Sequence, residues 1–228
     1  MKKTQSGFTL IEIAIVMVII GLLLGGVLKG QSMINSAKVR SLNNKIDGIS
    51  AAWFAFQDRY RALPGDMLGA NAAAQIGNGI LAAQGGDGFG TVNTAAESGF
   101  LWLHLAAAGF ISGSYSGLAA PAPGAAVYDC GTGSPGVCPD NGFGLGMEIS
   151  FSAVSFPAPA AAANTLYTGS NIPVVLAAEL DRKIDDGIPI TGAVRGGASN
   201  GALANCVAGG IYNIAVASMD CGLATRNL

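Results

Sequence analysis

From Phe8 to Leu28 the chain is apolar or small at every position except Thr9 and Glu12. As a helix these 21 residues would span roughly 31 Å, close to the thickness of a bilayer's hydrocarbon core. No turn signal ends the run. It passes through Lys29-Gly30-Gln31 into a stretch in which Val39, Leu42, Ile46, Ile49, Trp53, Phe56, Tyr60 and Leu63 recur at alternating steps of three and four. That spacing sets them on one face of a helix, while Lys38, Arg40, Lys45, Asp47, Asp58 and Arg59 fall off it. No proline occurs before Pro64, where Leu63-Pro64-Gly65-Asp66 supplies a stop. The pattern predicts one helix from about Phe8 to Ala62. Its first half is apolar all round, and its second half docks an apolar face on the chain's own globular part.

Beyond Pro64 the signals are shorter. "TAAESGFLWLHLAAAG" places Thr94 and Glu97 at capping-box spacing and Gly109 as a stop, which predicts a helix of about three turns. "LGMEISFSAVSF" alternates Leu145, Met147, Ile149, Phe151 and Ala153 against Gly146, Glu148, Ser150 and Ser152, the pattern of a half-buried strand. "PVVLAAELDRKIDD" opens on Pro173 and stops at Gly187, a short helix. "GGIYNIAVAS", residues 209–218, reads as a second strand. The segments 110–143 and 157–171, rich in Gly, Ala, Pro and Ser, read as long loops.

Composition narrows the function classes. Only 11% of residues are charged and glycine reaches 34, so the globular part should be rich in loops with few ionic groups at its surface. The net charge is −2, with no basic stripe and no interleaving of aromatics with Arg or Lys, so nucleic-acid binding is not supported. "GASNG" at 197–201 matches the G-x-S-x-G pattern around Ser199, but that elbow needs a strand before it, a helix after it and a histidine downstream. His104, the sole histidine, lies upstream, and the surroundings read as loop. "GTGSPG" at 131–136 fits G-x-G-x-x-G only formally, since it contains Pro135 and opens no helix. Asp66, Asp87, Asp185 and Asp186 are the oxygen donors on which a calcium site would draw. They lack EF-hand spacing, and turn or helix-end carboxylates are the commoner reading. No cofactor and no metal is expected.

The basic start and apolar run would also suit an ordinary secretory signal. The run exceeds the usual ~7–15-residue core, however, and no A-x-A-like site follows it. Lys2 and Lys3 precede the run, so the remainder of the chain is expected to be translocated. All four cysteines then lie on the exported side. An even count there favours disulfides, with Cys130–Cys138 and Cys206–Cys221 as the local pairs among three formal connectivities.

The short basic leader "MKKTQS", then "GFTLIE" and the continuous apolar run, resemble the N-terminus of type IV pilins and of the pseudopilins of type II secretion systems. "YRALPGDM" and "LDRKIDDGIP" also look like segments of bacterial pilin-like proteins, a less specific likeness. The resemblance implies an α+β, pilin-like fold in which a long N-terminal helix packs on a small antiparallel-sheet head with long loops. It divides the chain into a leader (1–7), a transmembrane and filament-core helix (8–30), its amphipathic continuation (31–63) and a globular head (64–228). It also implies that a prepilin peptidase cuts between Gly7 and Phe8 and N-methylates Phe8. The subunit would sit in the bacterial inner membrane with its head in the periplasm, and an inner-membrane assembly platform would polymerise it with other pilin or pseudopilin subunits into a filament.

In that family's filament, Glu12 pairs with the Phe8 amine of a neighbouring subunit. Within one chain, Glu12 lies one helical turn from its own Phe8 amine. Either partner would relieve the cost of a carboxylate in hydrocarbon, which is several kcal/mol. One departure stands out: many type IV pilins carry a proline inside this helix, and here only Gly21, Gly25 and Gly26 loosen it. The expected role is structural and non-enzymatic. The alternatives are a membrane-tethered periplasmic protein, enzymatic or otherwise, that uses the same leader, and a DNA-uptake pilin. The second alternative must contend with a charge of −4 once Lys2 and Lys3 leave with the leader.

Overall fold

A computed structural model of the chain describes residues 9–119, 136–152, 162–198, 203–216, 221–226 and 228. Helix α1 runs from Leu10–Tyr60, and the chain divides into two units, Met1–Lys38 and Val39–Leu228. In the first unit the apolar side chains of α1 are exposed from Leu10 to Ile34. In the second unit the predicted seam is buried: Val39, Leu42, Ile46, Ile49, Trp53 and Phe56 all lie in one core cluster. The helix ends two residues before the expected Ala62. Arg61 adopts φ +53°, a left-handed position that closes a helix, and its N–H still bonds to Gln57 O at 2.9 Å.

The turn at Leu63-Pro64-Gly65-Asp66 is tied to α3 (Ala95–Ala107). Gly65 sits at φ +86°, and a Cβ there would collide with the Glu97 carbonyl oxygen. The Gly65 N–H donates to His104 Nδ1 at 3.1 Å. Between the turn and α3 lies a short helix, α2 (Gly69–Gln75), which the alanine-rich sequence did not announce. The predicted Thr94 cap is present as a full capping box: Thr94 Oγ1 accepts from the Glu97 N–H, and Glu97 accepts from the Thr94 N–H.

The sheet departs further from expectation. Strands β1 (Glu148–Ser152) and β2 (Ala163–Tyr167) pair antiparallel, and β6 (Cys221–Thr225) and β3 (Val194–Ala198) complete the order β1-β2-β6-β3. All three pairings are antiparallel. The predicted 145–156 strand therefore begins later, at Glu148, with 153–156 outside the described residues, and β2 occupies a stretch expected to be loop. Among the described residues of the second predicted strand, 209–218, only β5 (Ile211–Tyr212) is a strand, and it pairs with β4 (Val207–Ala208) around Gly209-Gly210. Both glycines have positive φ, so the "GG" is a hairpin turn and not the start of a strand. Helix α4 (Val174–Ile184) begins after Pro173 as expected, and the four-residue α5 (Leu203–Cys206) precedes β4.

Polar pins hold the layers together. Ser98 Oγ on α3 donates to Ile149 O on β1 at 3.0 Å. Buried Asn141 uses every atom of its amide. Its Nδ2 donates to Thr168 O and Ser170 O, each at 2.9 Å, and its Oδ1 accepts from the N–H groups of Phe143 and Leu145. Those four bonds fold the 139–146 loop onto the end of β2. The result is the expected α+β architecture: a long N-terminal helix whose second half packs with a small antiparallel sheet and its loops.

Candidate assembly site at the N-terminus

The first helical residue is Leu10, which makes Thr9 the N-cap and Glu12 the third helical residue. A helix leaves its first N–H groups without internal partners. Here the Thr9 N–H and the Thr9 hydroxyl both donate to Glu12 Oε2 at 2.8 Å, and Thr9 Oγ1 accepts from the Glu12 N–H at 3.3 Å. This is a capping box. A carboxylate near a helix N-terminus also meets the positive end of the helix dipole. Glu12 is thus partnered within its own chain before any neighbour arrives. Thr9 was overlooked as a site residue, although T-x-x-E, the spacing that announced Thr94 and Glu97, stands in "GFTLIE".

The proposed cleavage pair, Gly7 and Phe8, lies outside the described residues. On both sides of Glu12 and as far as Ile34 the apolar side chains of α1 face outward: Leu10, Ile11, Met17, Leu22 and Leu23 are all well exposed. The mean hydropathy of this stretch reaches 2.7 over an 18-residue window, so α1 is long and apolar enough to cross a membrane.

The remaining sequence candidates have specific places. Cys206 and Cys221 form a buried disulfide with a Cα–Cα distance of 5.3 Å, which joins α5 to the inner strand β6. Cys138 is disulfide-bonded, while Cys130, its expected partner, lies outside the described residues. Ser199 and residues 131–135 of "GTGSPG" also lie outside them. The neighbourhood of Ser199 is not loop as expected: β3 precedes it and α5 follows.

His104 is fully buried. Its Nδ1 accepts from Gly65, its Nε2 faces Gln84 O at 2.8 Å, and its ring stacks on Phe56 and Phe100. Both ring nitrogens are committed to backbone, which fixes the neutral tautomer with the proton on Nε2. Burial holds its pKa below the usual histidine value.

The four candidate aspartates separate into two groups, each with a member that the sequence reading did not include. Asp66 and Asp87 join Glu97; Asp185 and Asp186 join Asp181. In the first group the oxygens are taken by the fold itself. Asp66 accepts from the N–H groups of Gly88 and Gly90, and Glu97 accepts from those of Asp87, Asn93 and Thr94. These two acids cap a helix and brace the 86–93 loop.

Among known proteins, the family model for the prokaryotic N-terminal methylation motif matches residues 2–28. No curated protein and no solved structure is significantly similar to the chain. The match covers the stretch that carries Gly7, Phe8, Thr9, Glu12 and the exposed apolar run, and it begins ahead of the described residues. The chain therefore carries the prepilin-type leader of type IV pilins and pseudopilins, ahead of a pilin-like α+β fold.

Proposed function

We propose that the chain is a non-enzymatic structural subunit of a type IV pilus or type II secretion pseudopilus. Prepilin peptidase matures it between Gly7 and Phe8, and it polymerises through the first half of α1. The observation that carries this reading is the conjunction at residues 2–28: the methylation motif coincides with a helical run whose apolar side chains are exposed all round. Such a surface is costly in water at about 25 cal/mol per Å². It requires first a bilayer and then other helices of its kind. The periplasm or exterior is the compartment in which the head's disulfides persist.

In this reading Glu12 has two successive partners. In the membrane-inserted monomer its own Thr9 N–H and hydroxyl hold Oε2. In the filament the methylated Phe8 amine of a neighbour supplies the opposite charge. An unpaired charge in a low-dielectric core is heavily penalised, so this pairing selects one axial register. Glu12→Ala and Glu12→Val are therefore expected to insert and to be cleaved normally, but to be depleted at least tenfold from sheared filaments relative to the membrane fraction. Normal incorporation of both variants would remove Glu12 from the assembly step.

A further inference from the structure

Among the described residues of the head, Phe89 is the most exposed large apolar side chain, at 80%. A lone exposed apolar residue needs no explanation, but this one is held in place. Gly88 and Gly90, on either side of it, donate their N–H groups to the two oxygens of buried Asp66 at 3.0 and 2.8 Å. The Phe89 N–H itself donates to Asp87 Oδ1 at 3.1 Å, and the Asp87 N–H donates to Glu97 on α3. Four consecutive backbone N–H groups thus end on carboxylates. Both glycines have positive φ, which a residue without a Cβ adopts freely. The backbone beneath the Phe89 ring is fixed before any partner arrives. An aromatic ring on a preorganised backbone loses little freedom on burial, which makes it a strong interface anchor.

The head also holds a place for such a ring. An open cleft of about 410 Å³ is lined by Lys45, Ile49, Phe110, Ile111, Tyr115 and Pro139. A cavity of about 150 Å³ already admits benzene. Lys45 donates to the Asp140 carbonyl oxygen at 2.7 Å and stands 3.9 Å from the Asp140 carboxylate, which leaves it N–H groups for a second acid. Asp87, beside Phe89, is an exposed acid.

We propose that Phe89 of one copy of the chain seats in this cleft of the next, so that the heads of neighbouring subunits interlock as well as their helices. The inference rests on the filament reading above. Knob and socket stand on the same chain, with an acid beside the one and a base beside the other, which favours a second copy as the occupant. They also lie at different heights. The cleft borders α1 at Lys45 and Ile49, whereas Gly88 and Gly90 share a depression with Gln57, Tyr60 and Leu63. At a rise of about 1.5 Å per residue, the second position lies roughly 15–20 Å further along the helix. Copies inserted in one membrane all point the same way, so two of them cannot exchange knobs mutually. The contact is heterologous, and because each step also rises it propagates as a fibre and does not close into a ring. A copy whose Phe89 is seated stands closer to the membrane than the copy that receives it. The socket therefore belongs to the earlier subunit, and the knob to the one that follows it out of the membrane.

The test uses the full-length chain assembled into filaments. With p-benzoylphenylalanine in place of Phe89, irradiation should join that position to the 45–49 or 110–115 peptide of a second copy and give a ladder of multimers. Phe89→Ala and Gly48→Leu should each be cleaved normally but depleted at least tenfold from sheared filaments relative to the membrane fraction. Gly48 lines the cleft, and a Cβ there meets nothing within 4 Å, so Gly48→Leu fills the socket without crowding the head. Leucine is also the better helix former. An unchanged or raised Tm in that variant, and an unchanged Tm in Phe89→Ala, would mark both losses as contact defects. Normal incorporation of either variant, or a cross-link that ends on a different protein, would overturn the proposal and leave the filament reading standing. An unsubstituted chain that is matured but forms no filament would overturn both.

Discussion

Thr9 and Glu12 repeat, at the start of α1, the bonds that Thr94 and Glu97 make at the start of α3. The local chemistry is the same and the surroundings are opposite. Glu97 is buried and also collects the N–H groups of Asp87 and Asn93, so its role ends inside the fold. Glu12 stands exposed on an apolar helix, and its second oxygen takes no part in these bonds. The difference was not legible from T-x-x-E, because spacing announces a cap but says nothing about what lies beyond it.

His104 gives the residue scale a direct test. Its folded pKa is lowered, while in the unfolded chain it titrates near an ordinary ~6.5. Above that value both states are neutral and the contribution of the site is fully present. As pH falls below about 6.5, the unfolded chain takes up a proton that the fold refuses, and stability is lost down to the folded pKa. His104 is the sole histidine, so Tm should decline between pH 7 and pH 5. In His104→Gln this slope should be largely abolished on a lower plateau, as measured by thermal unfolding across that range. An equal slope in the variant would count against the assignment.

At the scale of elements, the long helices α1, α3 and α4 were legible, while α2, α5 and three of the four strands of the sheet were not. The three-four seam from Val39 to Phe56 is buried as read, because a long amphipathic face leaves one consistent periodic signal. Strands β3 ("VRGGA") and β6 ("CGLAT") carry no apolar alternation. Their small residues answer to packing. A Cβ on Gly196 would lie 2.5 Å from the Tyr212 ring, and one on Gly222 would lie 2.8 Å from Gly169 O. No period-two rule reports such close approaches. Gly196→Ala should therefore push the Tyr212 ring away and weaken its bond to Asp181. The expected cost is about 1–3 kcal/mol, typical of overpacking, read as a lower urea midpoint with unchanged m-value. A neutral result would mean that the ring moves freely, contrary to its buried, hydrogen-bonded position.

At the scale of the whole molecule the chain combines two solutions to the problem of apolar surface. The unit Val39–Leu228 buries its own, with Trp53, Phe56, Trp102 and Leu105 in one core, while the apolar stretch from Leu10 to Ile34 leaves its side chains outside. A disulfide also secures the head. The Cys206–Cys221 bond spans a separation of 15 residues, for which the chain-entropy account gives about 3 kcal/mol. The double variant Cys206→Ser/Cys221→Ser should lose an amount of that order in urea unfolding, and full retention of stability would show the bond to be dispensable. An even cysteine count suggested the pairing, but the link from α5 to the inner strand β6 needed the fold. Whether Phe8 is the working N-terminus of a filament subunit is read directly by mass spectrometry of the N-terminal peptide of the chain recovered from sheared filaments. The expected chain begins with N-methylated Phe8 and retains Glu12. A chain that still begins at Met1, or that is cut near residue 30, would contradict it.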